Sequence, residues 1–158
     1  MLNFQKILKT LVDHKVNFII IGGVAAVAHG SSRLTQDIDV VYERSDENIR
    51  RLVASLKEFR PYLRGAPPNL PFQWGEETLK YGLNFTLVTT LGAIDLLGEL
   101  TGGGKYTHLI EHTVLLQIFG VQCRCINLEK LIEVKRAAGR PKDFEVIAEL
   151  EAILEERK

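Results

Sequence analysis

The stretch Ile19–Tyr42 constrains the fold of this chain more than any other part of the sequence, because it joins two strand patterns through a glycine pair. It reads IIIGGVAAVAHGSSRLTQDIDVVY, with three isoleucines running into Gly22-Gly23 and a second strand pattern beginning at Asp37. Glycine allows a tight turn from a strand into a helix. The stretch therefore predicts a strand, a short helix of small residues, a polar turn and a second strand.

Two acids open the second strand. Successive side chains of a strand point to opposite faces, so Asp37 and Asp39 project from one face while Ile38 and Val40 point into a core. Two carboxylates side by side repel each other unless a cation lies between them. Oxygen ligands of this kind suit Mg²⁺ or Mn²⁺. The acids therefore predict a divalent metal site.

The glycine pair predicts an anion site beside it. Because Gly22 and Gly23 carry no side chains, backbone amides at the start of the following helix can approach a phosphate closely. Each feature alone is weak evidence, since glycine pairs also occur in plain strand-to-helix turns and paired acids at solvated strand ends. Together, with 13 residues between Gly23 and Asp37, they become specific. An anion site next to a metal site is what a nucleoside triphosphate with its magnesium ion requires.

These residues resemble the signature of the DNA polymerase β-type nucleotidyltransferase superfamily, in which a glycine pair and a helix precede Asp-x-Asp on the next strand. Through Ser32–Asp39 the chain resembles more closely the small bacterial nucleotidyltransferase proteins of the minimal (MNT) and AbiEii-like toxin groups. Serine or glycine is usual at the second glycine position, so Gly23 is an allowed variant that lacks one hydroxyl for a phosphate. The resemblance implies an α/β fold: a mixed, twisted sheet of about four to six strands flanked by helices.

The resemblance also implies a third carboxylate on a strand that faces the two acids. Asp95 fits this position, since it stands inside the apolar run of Ala93–Glu99. An acid in such a run is costly unless it has a partner. We therefore expect Asp95 to complete the metal site, with Glu99 at most near its edge.

A basic segment near the C-terminus resembles the Lys…Arg-x-Lys-Asp segment of the same small proteins. In those proteins the lysine approaches the nucleotide, and the resemblance assigns this role to Lys135. The acid of the segment helps to hold the basic groups, and it corresponds to Asp143. The predicted site contains catalytic and metal-binding Asp37, Asp39 and Asp95, and nucleotide-binding Gly22, Gly23, Ser32, Arg33, Lys135, Arg140 and Lys142.

The remaining sequence predicts a single nucleotidyltransferase-like domain over residues 1–158. Four prolines and three glycines within residues 60–82 predict a loop insertion, either a lid or a substrate-specific element. Alternating patterns predict paired strands at Asn84–Thr89 and Ala93–Glu99. Helix signals predict a C-terminal helical pair over residues 127–156.

Composition excludes several classes of protein. Lysine and arginine total 20, as do aspartate and glutamate, so the net charge of zero argues against a dedicated basic nucleic-acid binder. No apolar run approaches the ~20 residues of a membrane span, and the N-terminal residues lack a signal-peptide pattern. We expect a cytoplasmic protein without membrane contact. Cys123 and Cys125 share one strand face, where a disulfide would be strained, and are expected to be reduced.

The resemblance implies an Mg²⁺-dependent (or Mn²⁺-dependent) nucleotidyltransferase that moves a nucleoside monophosphate from ATP or another triphosphate onto a hydroxyl. The acceptor would be a protein, a tRNA 3′ end or a small molecule, and family analogy suggests a toxin–antitoxin or defence role with an antitoxin-like partner protein. Two alternatives stay open. One is a nucleotide-binding or interaction module of the same fold without turnover. The other is a metal-dependent nuclease, which fits the paired acids but not the glycine pair.

Overall fold

The computed structural model describes residues 3–158, which form a mixed seven-stranded sheet flanked by helices. The strands are β1 (Phe18–Ile21), β2 (Asp37–Tyr42), β3 (Tyr62–Leu63), β4 (Asn84–Thr89), β5 (Gly92–Leu97), β6 (Thr113–Ile118) and β7 (Val121–Ile126). The α-helices are α1 (Phe4–Asp13), α2 (Gly22–Ala28), α3 (Asp46–Leu56), α4 (Glu76–Tyr81), α5 (Tyr106–Leu109), α6 (Leu128–Ala138) and α7 (Pro141–Glu156). The α/β class predicted from the sequence is confirmed, with one strand more than the four to six expected.

The sheet is built around β1 and β2, and its order is β3-β4-β5-β2-β1-β7-β6. Strand β1 pairs antiparallel with β2 and parallel with β7, while β2 pairs parallel with β5. All of Phe18–Ile21 is buried, as expected for an apolar strand at the centre of a sheet. This order puts the acidic start of β2 between the glycine turn after β1 and the strand that carries Asp95.

Helices bury the apolar core against this sheet. Helix α1 buries Ile7, Leu8 and Leu11 and packs against α3 and β7. Each such side chain contributes about 1.5–3 kcal/mol when it is removed from water. Helix α2 packs on β1 and β2 and contacts α6, and α6 packs against α7. The glycine turn and the C-terminal helices are therefore neighbours, although they are distant along the chain.

The segment over residues 60–82 differs from the predicted loop, because it contains β3 and α4. Leu79 of α4 is fully buried, and the indole nitrogen of Trp74 donates to the carbonyl oxygen of Val53 at 3.0 Å. Strand β3 pairs antiparallel with β4. This strand of two residues is too short to show alternation and accounts for the additional strand of the sheet.

Within residues 3–158, none of the helices combines the length and the apolar character that crossing a membrane requires.

Candidate active site

Strand register brings the three predicted carboxylates together. Asp39 and Asp95 are direct neighbours on the parallel strands β2 and β5, and Asp37 lies two residues earlier on the same face. One oxygen from each of the three carboxylates can be chosen so that all lie within 4.8 Å of one another. The side chains of Asp37 and Asp95 are 30% and 23% exposed, so the cluster is reached from solvent at its rim.

The environment of Asp39 disfavours its charged form. Its Oδ1 atom is buried and has no hydrogen-bond partner among the described residues. Burial, followed by the charges of Asp37 and Asp95, raises the pKa of Asp39 to about 8. Within the part of the chain that the structure describes, the Oδ1 atom therefore lacks the hydrogen bond or cation that normally accompanies a buried polar atom.

The carboxylate cluster fits a divalent cation. It offers three oxygen ligands in one small volume, and the unpartnered Oδ1 of Asp39 is the kind of buried polar atom that a ligand satisfies. Carboxylate oxygens are the donor type that Mg²⁺ and Mn²⁺ prefer. A cation would also offset the repulsion among the three acids.

Arg64 contacts the cluster and was missed by the sequence analysis. Its Nη2 donates to Oδ1 of Asp95 at 2.5 Å and to the carbonyl oxygen of Leu87 at 2.9 Å. Its Nη1 lies 3.8 Å from Oδ2 of Asp37. Burial raises the pKa of Asp95, and Arg64 opposes this shift without cancelling it. Arg64 follows β3, and its backbone nitrogen donates to Thr86, so its position depends on a strand that the sequence does not reveal.

The two glycines are required by contacts with the acidic strand and the turn before it. Gly22 has φ +66°, and a Cβ atom there would lie 2.2 Å from Oδ2 of Asp39. A Cβ atom at Gly23 would lie 2.8 Å from Oγ1 of Thr35, whose hydroxyl donates to the carbonyl oxygen of Asp37 at 3.0 Å. The absence of side chains therefore lets α2 begin directly against the cluster. Phosphate contact by these glycines stays a prediction.

A group of basic side chains faces the carboxylates from α6 and the start of α7. Lys135 is buried, and its Nζ lies 3.9 Å from Oδ1 of Asp143. Arg140 donates from Nε to Oδ2 of Asp143 at 2.8 Å and from Nη2 to Oδ1 at 3.1 Å. Burial lowers the pKa of Lys135, although Asp143 acts in the opposite direction. Asp143 thus holds two cations at the edge of the site.

One cavity of about 490 Å³ joins the acidic and basic groups. Lys142 lines it, as does Arg33, whose Nη1 donates to Oε2 of Glu145 on α7 at 3.2 Å. Ser32 instead donates from its hydroxyl to Glu149 of α7 at 3.0 Å. The predicted site residues in the lining are Gly22, Gly23, Arg33, Asp37, Asp39, Asp95, Lys135, Arg140 and Lys142. Of the predicted residues, Ser32 alone is tied to α7 without lining the cavity.

A family model described as "Nucleotidyltransferase of unknown function (DUF6036)" matches residues 2–97. The match covers the glycine pair and all three carboxylates, while the basic group on α6 and α7 lies beyond it. No curated protein matches the chain.

Solved structures share the architecture at low sequence identity. The chain is similar to lincosamide antibiotic adenylyltransferase LnuA bound to lincomycin, at 16% identity and a TM-score of 0.64, over 96% of this chain and 98% of that one. It is similar to ANT(2")-Ia in complex with adenylyl-2"-tobramycin at 15% identity and a TM-score of 0.58, over 95% of this chain and 91% of that one. It is also similar to an antigenic nucleotidyltransferase-like protein from Paracoccidioides brasiliensis at 14% identity and a TM-score of 0.56, over 96% of this chain and 77% of that one. At these identities the similarity shows the fold.

Proposed function

The chain belongs to the nucleotidyltransferase family DUF6036, and we propose that it transfers a nucleoside monophosphate from a nucleoside triphosphate to a hydroxyl acceptor in a reaction that depends on Mg²⁺ or Mn²⁺. The observation that carries the proposal is the cluster of Asp37, Asp39 and Asp95, whose ligand oxygens lie within 4.8 Å of one another in a cavity that basic residues also line.

The three carboxylates would hold the metal. When bound, divalent cations offset the negative charge that develops on the transferred phosphoryl group and its neighbouring oxygens. Asp37 and Asp39 face the cavity from one strand, and Asp95 faces them from the next. The partly exposed carboxylate of Asp95 accepts the proton of the acceptor hydroxyl as that oxygen bonds to the α-phosphorus. The bond to the β-phosphate oxygen breaks, and pyrophosphate leaves.

The basic residues would position the triphosphate. Lys135, Arg140 and Lys142 line the same cavity as the carboxylates. Donors held in advance of the reaction stabilise charge without a reorganisation cost at the moment of transfer. Asp143 supports this role because it fixes the guanidinium of Arg140 through two hydrogen bonds.

ATP and a small-molecule acceptor are the first substrates to test. The similar structures include an adenylyltransferase bound to an antibiotic and a complex with an adenylylated antibiotic. The cavity volume of about 490 Å³ lies within the range typical of small-molecule sites.

One observation favours the alternative, a nucleotide-binding module of the same fold without turnover. Arg64 already donates to Asp95 and lies close to Asp37, so a cation of the protein occupies part of the proposed metal site. If Arg64 stays there permanently, Oδ1 of Asp95 is not free to bind a metal ion.

Calorimetric titration with ATP, GTP, CTP and UTP, with and without Mg²⁺, tests the proposal. We expect one triphosphate to bind the wild-type protein only with Mg²⁺, and the Asp37→Asn/Asp39→Asn double variant to lose this binding. Pyrophosphate release with a panel of hydroxyl acceptors then tests turnover. Undiminished turnover by Asp37→Asn would contradict the assignment of the carboxylates, and binding without any pyrophosphate release would favour the inactive module.

A further inference from the structure

We propose that Arg64 is the resident counter-ion of the carboxylate cluster, and that a divalent cation must displace its guanidinium from Asp95 and Asp37 before the site can act. The inference rests on the proposed function, since it takes these carboxylates to be metal ligands. It makes Arg64 a positioning residue, because it acts through Asp95 and not on a substrate.

The contacts of Arg64 are those of a cation placed between two acids. Nη2 donates to Oδ1 of Asp95 at 2.5 Å, and Nη1 lies 3.8 Å from Oδ2 of Asp37. Asp39, the third acid, has no contact with the guanidinium, and its Oδ1 has no partner among the described residues. Arg64 thus offsets one of the two charges of Asp37 and Asp95 and, among the described residues, forms no ion pair with Asp39.

Oδ1 of Asp95 cannot bind a divalent cation and accept the hydrogen bond from Arg64 without weakening one of the two interactions. Mg²⁺ binds carboxylate oxygens at about 2.0–2.1 Å, which would bring its charge close to a guanidinium that already hydrogen-bonds the same atom. Like charges at such separation repel strongly where solvent screening is incomplete. Binding of a metal ion to Oδ1 of Asp95 and the ion pair of Arg64 with the same atom therefore compete.

The surroundings of Arg64 allow its head group to leave. The side chain is 35% exposed, and its one other hydrogen bond goes to the carbonyl oxygen of Leu87. Thr86 lies directly opposite Asp95 in the sheet and is exposed, so the sheet face beside the cluster is open to solvent there. The backbone of Arg64 stays anchored by its hydrogen bond to Thr86, so release needs a change in side-chain rotamer only.

The exchange would not obstruct the nucleotide cavity. Asp95 is part of the cavity lining, while Arg64 reaches Asp95 from β3, at the edge of the sheet. Lys135 and Arg140 approach from α6 and α7. Arg64 itself is not among the residues that line this cavity.

Titration of Mn²⁺ alone, without nucleotide, tests the inference by calorimetry on four proteins. These are wild type, Arg64→Gln, Arg64→Lys and Arg50→Gln. We expect Arg64→Gln to bind Mn²⁺ at least about tenfold more tightly than wild type, because one competing cation is gone. Arg64→Lys keeps the charge and should stay close to wild type. Arg50→Gln removes the same charge from the exposed surface of α3, where Arg50 lies near Glu76, and should also stay close.

Thermal unfolding supplies a second readout, the melting temperature with and without Mn²⁺. A purely structural role of Arg64 would lower the melting temperature equally in both conditions. In EDTA, Arg64→Gln should melt at a lower temperature than wild type, because three acids are left without a cation. Saturating Mn²⁺ should raise its melting temperature by more than it raises that of wild type.

Equal or weaker Mn²⁺ binding by Arg64→Gln would overturn the inference while leaving the metal site intact. Absence of Mn²⁺ binding in all four proteins would overturn both the metal site and the inference. Tighter binding by Arg64→Gln, combined with absence of nucleotide transfer under all conditions, would support the inference and overturn the proposed reaction alone.

Discussion

A Cβ atom at Gly22 would lie 2.2 Å from Oδ2 of Asp39, so the glycine turn and the acidic strand are parts of one packed unit. Gly22 also has φ +66°, a conformation that side-chain-bearing residues rarely adopt. The glycine that begins α2 and the carboxylate at the centre of the cluster therefore depend on each other. Any residue larger than glycine at position 22 would have to move that carboxylate.

Gly22→Ala should destabilise the protein and displace Asp39. We expect the free energy of unfolding to fall by about 2–4 kcal/mol, because backbone strain and a collision with the side chain of Asp39 act together. Chemical denaturation in EDTA measures the loss. The Gly22→Ala/Asp39→Ala double variant should recover part of it, since alanine at position 39 removes the contacts with Oδ2 and Cγ but keeps the Cβ atom at 3.0 Å and the backbone strain.

Gly75→Ala is the matched control for this prediction. A Cβ atom there meets nothing within 4 Å, so its unfolding free energy should stay within about 0.5 kcal/mol of wild type. A Gly22→Ala protein as stable as the control would show that the backbone rearranges and that the contact with Asp39 is not restrictive.

Asp39→Asn should separate stability from metal binding. Without metal, the new amide can donate to the neighbouring carboxylates and no longer adds to their charge, so stability in EDTA should rise by about 1 kcal/mol. The increase in melting temperature that Mg²⁺ with a triphosphate gives the wild type should disappear. Parallel melting curves with and without Mg²⁺ and nucleotide measure both effects.

An exposed acid provides the comparison for Asp39. Asp46 is in the first turn of α3, with a side chain 78% exposed, and Asp46→Asn should leave the ligand-dependent increase intact. Loss of more than about 1 kcal/mol in EDTA by Asp39→Asn would mean that the carboxylate makes stabilising contacts of its own.

Parts of the site could be predicted from local signals in the sequence, while the position of Asp95 beside the other two acids was implied by the family resemblance. Alternation within β2 puts Asp37 and Asp39 on one face, and the apolar run around Asp95 marks an acid that needs a partner. Helix ends were also predicted from local signals. Asn127 accepts from the backbone of Lys130 at 2.8 Å, and Gly139 ends α6 with φ +65°. These features depend on neighbours within a few residues.

Features that depend on distant pairing could not be predicted in this way. Arg64 and Asp95 are 31 residues apart, and their contact requires the two-residue strand β3, which has no periodic pattern. Similarly, the hydroxyl of Ser32 donates to Glu149, which is 117 residues away, while nucleotide binding by Ser32 stays a prediction. Neither partner is marked by residue type or spacing, since arginines and glutamates of this kind are common on protein surfaces.

Asp143 predicts how stability should change with pH. Burial alone would raise its pKa, but hydrogen bonds from Arg140 and the charge of Lys135 outweigh burial and leave the pKa below the usual value of 3.8. A carboxyl with a lowered folded-state pKa stabilises the protein above its unfolded pKa, and this contribution is lost as pH falls through the folded-state pKa. Asp143→Asn should therefore lose about 1–3 kcal/mol near pH 7, with the difference from wild type shrinking below about pH 3.

Denaturant titrations across this pH range measure the effect of Asp143→Asn. Asp13→Asn serves as the control, since Asp13 is 56% exposed and forms a surface ion pair with Lys9. Such a pair contributes about 0–1 kcal/mol, so its removal should change stability little at any pH. A deficit in Asp143→Asn that stays constant down to pH 2 would contradict the assignment to charge.

Lys135→Met should weaken binding of the triphosphate while preserving the fold. Methionine keeps the buried stem in place, and Asp143 retains Arg140 as its partner. A charged hydrogen bond contributes about 1.5–3 kcal/mol, so the dissociation constant for the triphosphate with Mg²⁺ should rise about tenfold to a hundredfold. Lys130→Met is the control, because Lys130 lies on the same helix but pairs with Glu133 at 3.1 Å and not with Asp143. If both variants bind the triphosphate as wild type does, the basic group on α6 does not contact the nucleotide, and the phosphates must be held by the glycine turn and the metal.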